Sequence, residues 1–239
     1  MPSNWDHVDP RLRHSILKIL FRYPEQIARL HILRRLLRMD RKTFELLSEG
    51  QKWDLLQAIE FMTLKNLRVQ LFRNFKKGWE LPEDQFRDGT CYEYAKGDFY
   101  FKKFKETGED QYLNLFFATL ARHKNNFCNS ENDVKNNLRK IGRVPVHVKL
   151  TTLCYFGGIK EMISELYGEF LFKSNLVGSS EGYTPKLNLE WWGVFNSVAE
   201  SGVFGSISDV YKSNFHDVCT YLVQKKEEYL VAKSSQNES

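Results

Sequence analysis

The chain has 239 residues, 42% of them hydrophobic and 27% charged, with a net charge of +5. That balance describes a soluble globular protein with a sizeable core and excludes a wholly disordered chain. No run approaches the ~18 uncharged apolar residues of a membrane span, and the first residues lack the basic-then-apolar pattern of a secretory signal, so a cytoplasmic location without membrane contact is expected.

In chain order, Asp9-Pro10 reads as an N-cap followed by a proline in the first helical turn. Leu12, Ile16, Leu17, Ile19, Leu20 and Tyr23 then recur helically until Pro24. A second helix carries Ile27, Leu30, Leu33, Leu36 and Leu37 on one face and Arg29, Arg34, Arg35 and Arg38 on the other. With Arg41 and Lys42 these arginines form a basic helical face over 29–42. Phe44 and Leu47 suggest a short third helix, and Ser48 with Gln51 forms the S-x-x-Q capping box of a fourth that ends near Met62. Thr63 to Trp79 fits a helix through Leu64, Leu67, Leu71 and Phe75, although its β-branched and aromatic mix also allows a strand. Residues 1–81 therefore read as a basic N-terminal helical region; positions 1–79 hold sixteen Lys and Arg against eight Asp and Glu. Such an excess marks either a nucleic-acid surface or a solvated face that meets an acidic partner.

The stretch PEDQFRDG, from Pro82 to Gly89, reads as a connection and opens a central helical region over 82–174. Thr90 and Glu93 make a second capping box, an aromatic run follows to Phe104, and Gly108 breaks it. Asp110 is placed to cap a helix through Leu120, and Val134 to Ile141 reads as a surface helix. The most apolar block, 144–172, is divided by Gly157-Gly158 and reads as a buried helical hairpin around which the other helices pack. Residues 175–188 have the composition of a loop or linker, 189–232 form a C-terminal helical block, and 233–239 read as a disordered tail. With no convincing strand pair, the fold class is all-α, a multi-helix bundle built around the central hairpin.

Chemical signatures are sparse. The chain contains no Walker A motif, dinucleotide fingerprint, nucleophile elbow or H-E-x-x-H. Cys91, Cys128, Cys154 and Cys219 show no C-x-x-C spacing and read as reduced, mostly buried thiols. His216 with Cys219, or His123 with Cys128, supplies two metal ligands without a second pair, which makes a poor zinc site. His14, His31 and His147 lie in or beside apolar stripes and read as structural. Glu161, Glu165 and Glu169 read as the exposed edge of one helix. No catalytic residue, metal or cofactor is expected. Two surfaces remain as candidates. Trp191 and Trp192, adjacent on a helix and so about 100° apart, cannot easily share one narrow core stripe, and with Phe204 they are candidate partner anchors. Arg29, Arg34, Arg35, Arg38, Arg41 and Lys42 are the candidate basic face.

Three blocks carry a family resemblance. The first is TCYEYAKGDFYFKKFKETGEDQYLNLFFATLAR, an aromatic turn and an acidic-capped helix ending in LFFATLAR (Leu115 to Arg122), which matches the A-x-L-x-R end of the pattern L-x-x-x-x-A-x-L-x-R with its first leucine, Leu115, out of register. The second is VPVHVKLTTLCYFGGIKEMISELYGEFLF, and the third is WWGVFNSVAESGVFGSISDVYKSNFHDVCTYLVQKKEEY, similar to a W-x-x-x-x-x-x-L-A-x-x-G helix with a final helix. In this order they resemble the helical tail-assembly chaperone-type proteins of tailed phages and prophages of Bacteroidetes-type hosts. The resemblance implies a non-enzymatic protein that binds a long helical tape-measure protein or tail-tube subunits during morphogenesis. It supplies no functional residue that maps onto this chain. The alternative is a nucleic-acid-binding accessory protein that uses the basic N-terminal helices.

Overall fold

The computed structural model describes residues 5–60, 62, 67–124, 126–171 and 191–237. The fold is all-α and multi-helical. Among the described residues the helices are α1 (Pro10–Arg22), α2 (Glu25–Leu37), α3 (Arg41–Glu45), α4 (Glu49–Ala58), α5 (Cys91–Thr107), α6 (Asp110–Leu120), α7 (Glu131–Ile141), α8 (Val146–Leu171), α9 (Trp191–Glu200), α10 (Ile207–Lys212) and α11 (Phe215–Asn237). The predicted 175–188 loop lies outside the described residues.

Local chemistry accounts for most helix starts. Asp9 caps α1 ahead of Pro10, and both predicted capping boxes form, Ser48 with Gln51 on α4 and Thr90 with Glu93 on α5. Each satisfies amide groups that a helix N-terminus leaves without intrahelical partners. Gly108, left-handed at φ 69°, ends α5 as expected. Asp110 lies in the first turn of α6 rather than at its cap, which falls on Glu109.

The central element is one 26-residue helix, not a hairpin. α8 is roughly 39 Å long at 1.5 Å per residue and packs against α1, α6 and α11. A glycine inside a helix costs only about 1 kcal/mol, whereas Tyr155, Phe156, Ile159 and Ile163 continue one buried stripe across Gly157-Gly158. The stripe outweighs the glycines. The glycine that serves close helix packing is instead Gly97 on α5, where an added Cβ would lie 3.2 Å from the Phe156 ring. Phe156 also meets Tyr94, Phe101 and Phe116 in the same cluster.

Three more expectations are corrected. Residues 67–78 are not helical, because their backbone pairs with the following segment: Arg73 accepts from the Leu81 amide, Arg68 from the Gln85 amide, and the Gln70 amide donates to Asp84 Oδ1 at 2.6 Å. The segment ends in a short antiparallel pair, β1 (Trp79–Glu80) with β2 (Arg122–His123), where no strand pair was expected. The supposed tail is helical to Asn237, since no glycine or proline interrupts the chain after Phe215 and Lys225 pairs with Glu228 at 2.7 Å. Among the described residues, no helix is long and apolar enough to cross a membrane.

The N-terminal helices join the same core, which runs from Trp5 to Cys219. One seam is a histidine pair: His14 Nδ1 on α1 lies 2.8 Å from His147 Nε2 on α8, and Phe72 stacks on His14. Burial, reinforced by Lys18, holds the His14 pKa down; burial, then His14 and Lys18, does the same for His147. A lowered histidine pKa means that the unfolded chain binds more protons between the folded value and roughly 6.5. Stability is therefore full above that window and falls as pH drops through it. Thermal melts between pH 7.5 and 5.0 should show this loss, with a shallower slope in His14→Gln; parallel slopes would contradict it.

Candidate functional site

The predicted basic helix over 29–42 is interrupted. Helix α2 stops at Leu37, and Arg38 adopts the left-handed conformation at φ 52° with its amide bonded to the Arg34 carbonyl. Asp40 then caps α3 through the Thr43 amide at 2.7 Å. That bond, with a smaller contribution from the Arg34 charge, holds the Asp40 carboxyl below its usual range. The six basic residues do not form one continuous face. Arg29 pairs with Glu25 and Arg41 with Glu45 along their own helices, at 2.5 and 2.6 Å. Arg34, Arg35 and Arg38 instead line one cleft of about 910 Å³ with Ser15, His31 and Asp40, walled by Leu12, Ile19 and Met39. His31 is held there by stacking on Tyr23. Lys42 is exposed and stands apart from this cleft.

A second groove, of about 490 Å³, adjoins it across His31 and Arg34. Ile27, Leu30 and Phe44 line it together with Arg41, Glu45, Glu49 and Lys52. Two of its apolar lining residues are open to water, Ile27 at 47% and Leu30 at 39% exposed, and the exposed Leu46 and Trp53 directly follow the lining residues Glu45 and Lys52 in sequence. The sequence places Ile27 and Leu30 on the predicted core face of α2, yet that face is split. Ala28, Ile32 and Leu33 are buried while Ile27 and Leu30 look outward.

The Trp191–Trp192 pair solves its geometry differently from the expectation. α9 lies beside α5 and α10, so indoles splayed about 100° apart both find aromatic neighbours. Trp191 meets Tyr94 and Phe215 at 5.1 and 5.0 Å between ring centres, and Trp192 meets Tyr92 and Tyr211 at 5.7 and 5.5 Å. Phe204 packs on Tyr221. All three are half-buried. The structure does not bring these residues together with the basic cleft.

Sequence reading missed a buried ionic node at Arg122, whose side chain is 1% exposed. Its guanidinium donates to both oxygens of the buried Glu93, at 2.9 and 2.6 Å, and also to the Asp88 carboxylate and carbonyl. Burial lowers its pKa, but Glu93 and Asp88 more than offset this and leave it raised. The one available signal was an arginine at the end of the apolar run LFFATL.

Beside the node, the turn at 83–89 places Gln85 and Phe86 at positive φ, 59° each. Tyr155 Oη braces it, donating to the Glu83 carbonyl and accepting from the Phe86 amide. His216 bridges Tyr167 and the Gln85 carbonyl at 2.9 and 3.0 Å, so both ring nitrogens have partners within the fold. Cys219 is buried and its thiol is pushed up to about 12 by desolvation, which suppresses thiolate chemistry. All four cysteines are free. Among the described residues, no cluster of three His, Cys, Asp or Glu side chains is arranged to hold a metal.

No protein-family model, curated protein or solved structure matches this chain. The class defined by the fold is a multi-helix all-α protein.

Proposed function

We propose that this is a non-enzymatic protein-binding factor that holds a helical partner, acting as a tail-assembly chaperone acts on a tape-measure or tail-tube protein. The observation that carries the binding reading is the apolar groove of α2 to α4. Large apolar side chains left open to water around a charged rim mark interaction sites, and Ile27, Leu30, Leu46 and Trp53 stand close together in sequence on this one region. Ile27 and Leu30 are spaced as anchors that an amphipathic helix can straddle. The assignment to tail assembly rests on the sequence resemblance alone. Trp191, Trp192 and Phe204 have aromatic neighbours inside the fold, and we assign them to packing.

The test is co-expression with the proteins encoded immediately beside it, followed by affinity capture at moderate salt. Wild type should retain a long helical protein among them, and Trp53→Ala with Ile27→Ser should release it. A truncated hot-spot tryptophan costs on the order of 2 kcal/mol, about thirtyfold in affinity. Both positions are exposed, so the variant should remain folded. Capture unaffected by the two substitutions would refute the groove. Nucleic acid that co-purifies instead and is released by salt would favour a phosphate-binding role for the basic residues.

A further inference from the structure

We propose that the cleft between α1 and the carboxyl end of α2 binds a small phosphate monoester, its phosphate held by Arg34, Arg35 and Arg38 and its apolar body lying on Leu12, Ile19 and Met39. This goes beyond the protein-binding reading and does not depend on it. Three observations converge. Among the described residues, no carboxylate forms an ion pair with any of the three guanidinium groups, although Arg29 and Arg41 nearby are both paired. Arg34 lines the cleft, and its Nε has no acceptor within the fold, so no internal hydrogen bond to that nitrogen competes for the guanidinium. Arg38 occupies a left-handed helix end, a position that glycine or asparagine fills at lower cost.

The carboxyl end of a helix attracts cations, which accounts for arginines near the end of α2. It does not account for an arginine in the strained position itself, or for a donor left unmet. Phosphate fits better than carboxylate. One guanidinium saturates a carboxylate in a bidentate pair, whereas a phosphate presents three oxygens to three donors. A nucleic-acid strand fits less well, because it needs an extended basic track and the flanking arginines are already neutralised. The volume, about 910 Å³, is that of a small-molecule site. Ser15 adds a hydroxyl from the α1 wall and Asp40 one opposing charge.

Calorimetric titration with phenyl phosphate tests this, with inorganic phosphate and a single-stranded oligonucleotide as comparison probes. Wild type should bind phenyl phosphate saturably at one site and more tightly than inorganic phosphate. Arg34→Gln should weaken binding on the order of tenfold, the worth of one charged hydrogen bond. Arg38→Gly should weaken it similarly while the melting temperature of the free protein holds or rises, which separates lost charge from lost fold. Absence of saturable binding, binding indifferent to both substitutions, or equal affinity for inorganic phosphate would overturn the proposal. So would tight oligonucleotide binding with a multi-phosphate salt slope that phenyl phosphate fails to compete away.

Discussion

Replacing Arg122 with methionine should cost about 3–5 kcal/mol, the penalty for leaving one member of a buried ion pair uncompensated. The carboxylate left behind is that of Glu93, which is fully buried. It accepts two bonds from Arg122, one from the Thr90 amide at 3.1 Å and a long one from the Cys128 amide at 3.4 Å. The amides would remain, but the positive charge would not. Against a typical total stability of about 5–15 kcal/mol, a loss of this size is read directly from the urea midpoint at constant slope. A change below about 1 kcal/mol would show that the charge was not needed there.

The double variant Arg122→Met with Glu93→Gln sharpens the test. Glutamine at the third helical position still closes the capping box with Thr90, so α5 keeps its start, while the buried charge disappears. Asp88 is partly open to water and tolerates the loss of its partner better. The double variant should therefore recover at least half of the single variant's deficit, because exchanging a whole buried pair for uncharged groups is often close to neutral. If the two losses simply add, Glu93 and Arg122 are not one unit.

Legibility in the sequence followed the range of the interactions. The starts of α1, α4 and α5 were legible because the capping side chain and the amide it satisfies lie within three residues. The middle of α8 was misread because Gly157-Gly158 is a strong local signal, while the stripe that overrides it is buried by α5, α6 and α11 from elsewhere in the chain. The 67–78 segment failed for a related reason: its backbone partners at 81–85 are visible only once the chain has turned back. Of the six basic residues, composition found all, but only the folded chain sorts them into a cleft set of Arg34, Arg35 and Arg38, a paired set of Arg29 and Arg41, and a separate Lys42. Glu93 shows the limit most sharply. Its role as a capping residue was legible, and its second role as the counter-charge of Arg122 was not, because 29 residues separate the two.

Substituting Gly89 with alanine should be the most damaging of the small changes, costing about 3 kcal/mol or more through overpacking. A Cβ at this position would lie only 2.0 Å from two carbons of the Phe86 ring. That ring is fully buried and has no direction of retreat, since Tyr94, Phe156 and Phe215 surround it. The backbone cannot yield easily either: the Gly89 amide donates to the Phe86 carbonyl, and its own carbonyl receives the Phe215 amide at 2.9 Å. Phe86→Ala removes all three ring carbons that would clash, so the two substitutions together should be less harmful than their sum. Additivity within about 0.5 kcal/mol in a denaturation cycle would rule out the steric account. The consequence reaches the binding region, because residues 84 and 85 of this turn hold the backbone of Gln70 and Arg68. That segment is the covalent link between the helices bearing both clefts and the core. Loosening the turn should therefore weaken partner capture and anion binding alike, whereas Trp53→Ala and Arg38→Gly should each affect one of them.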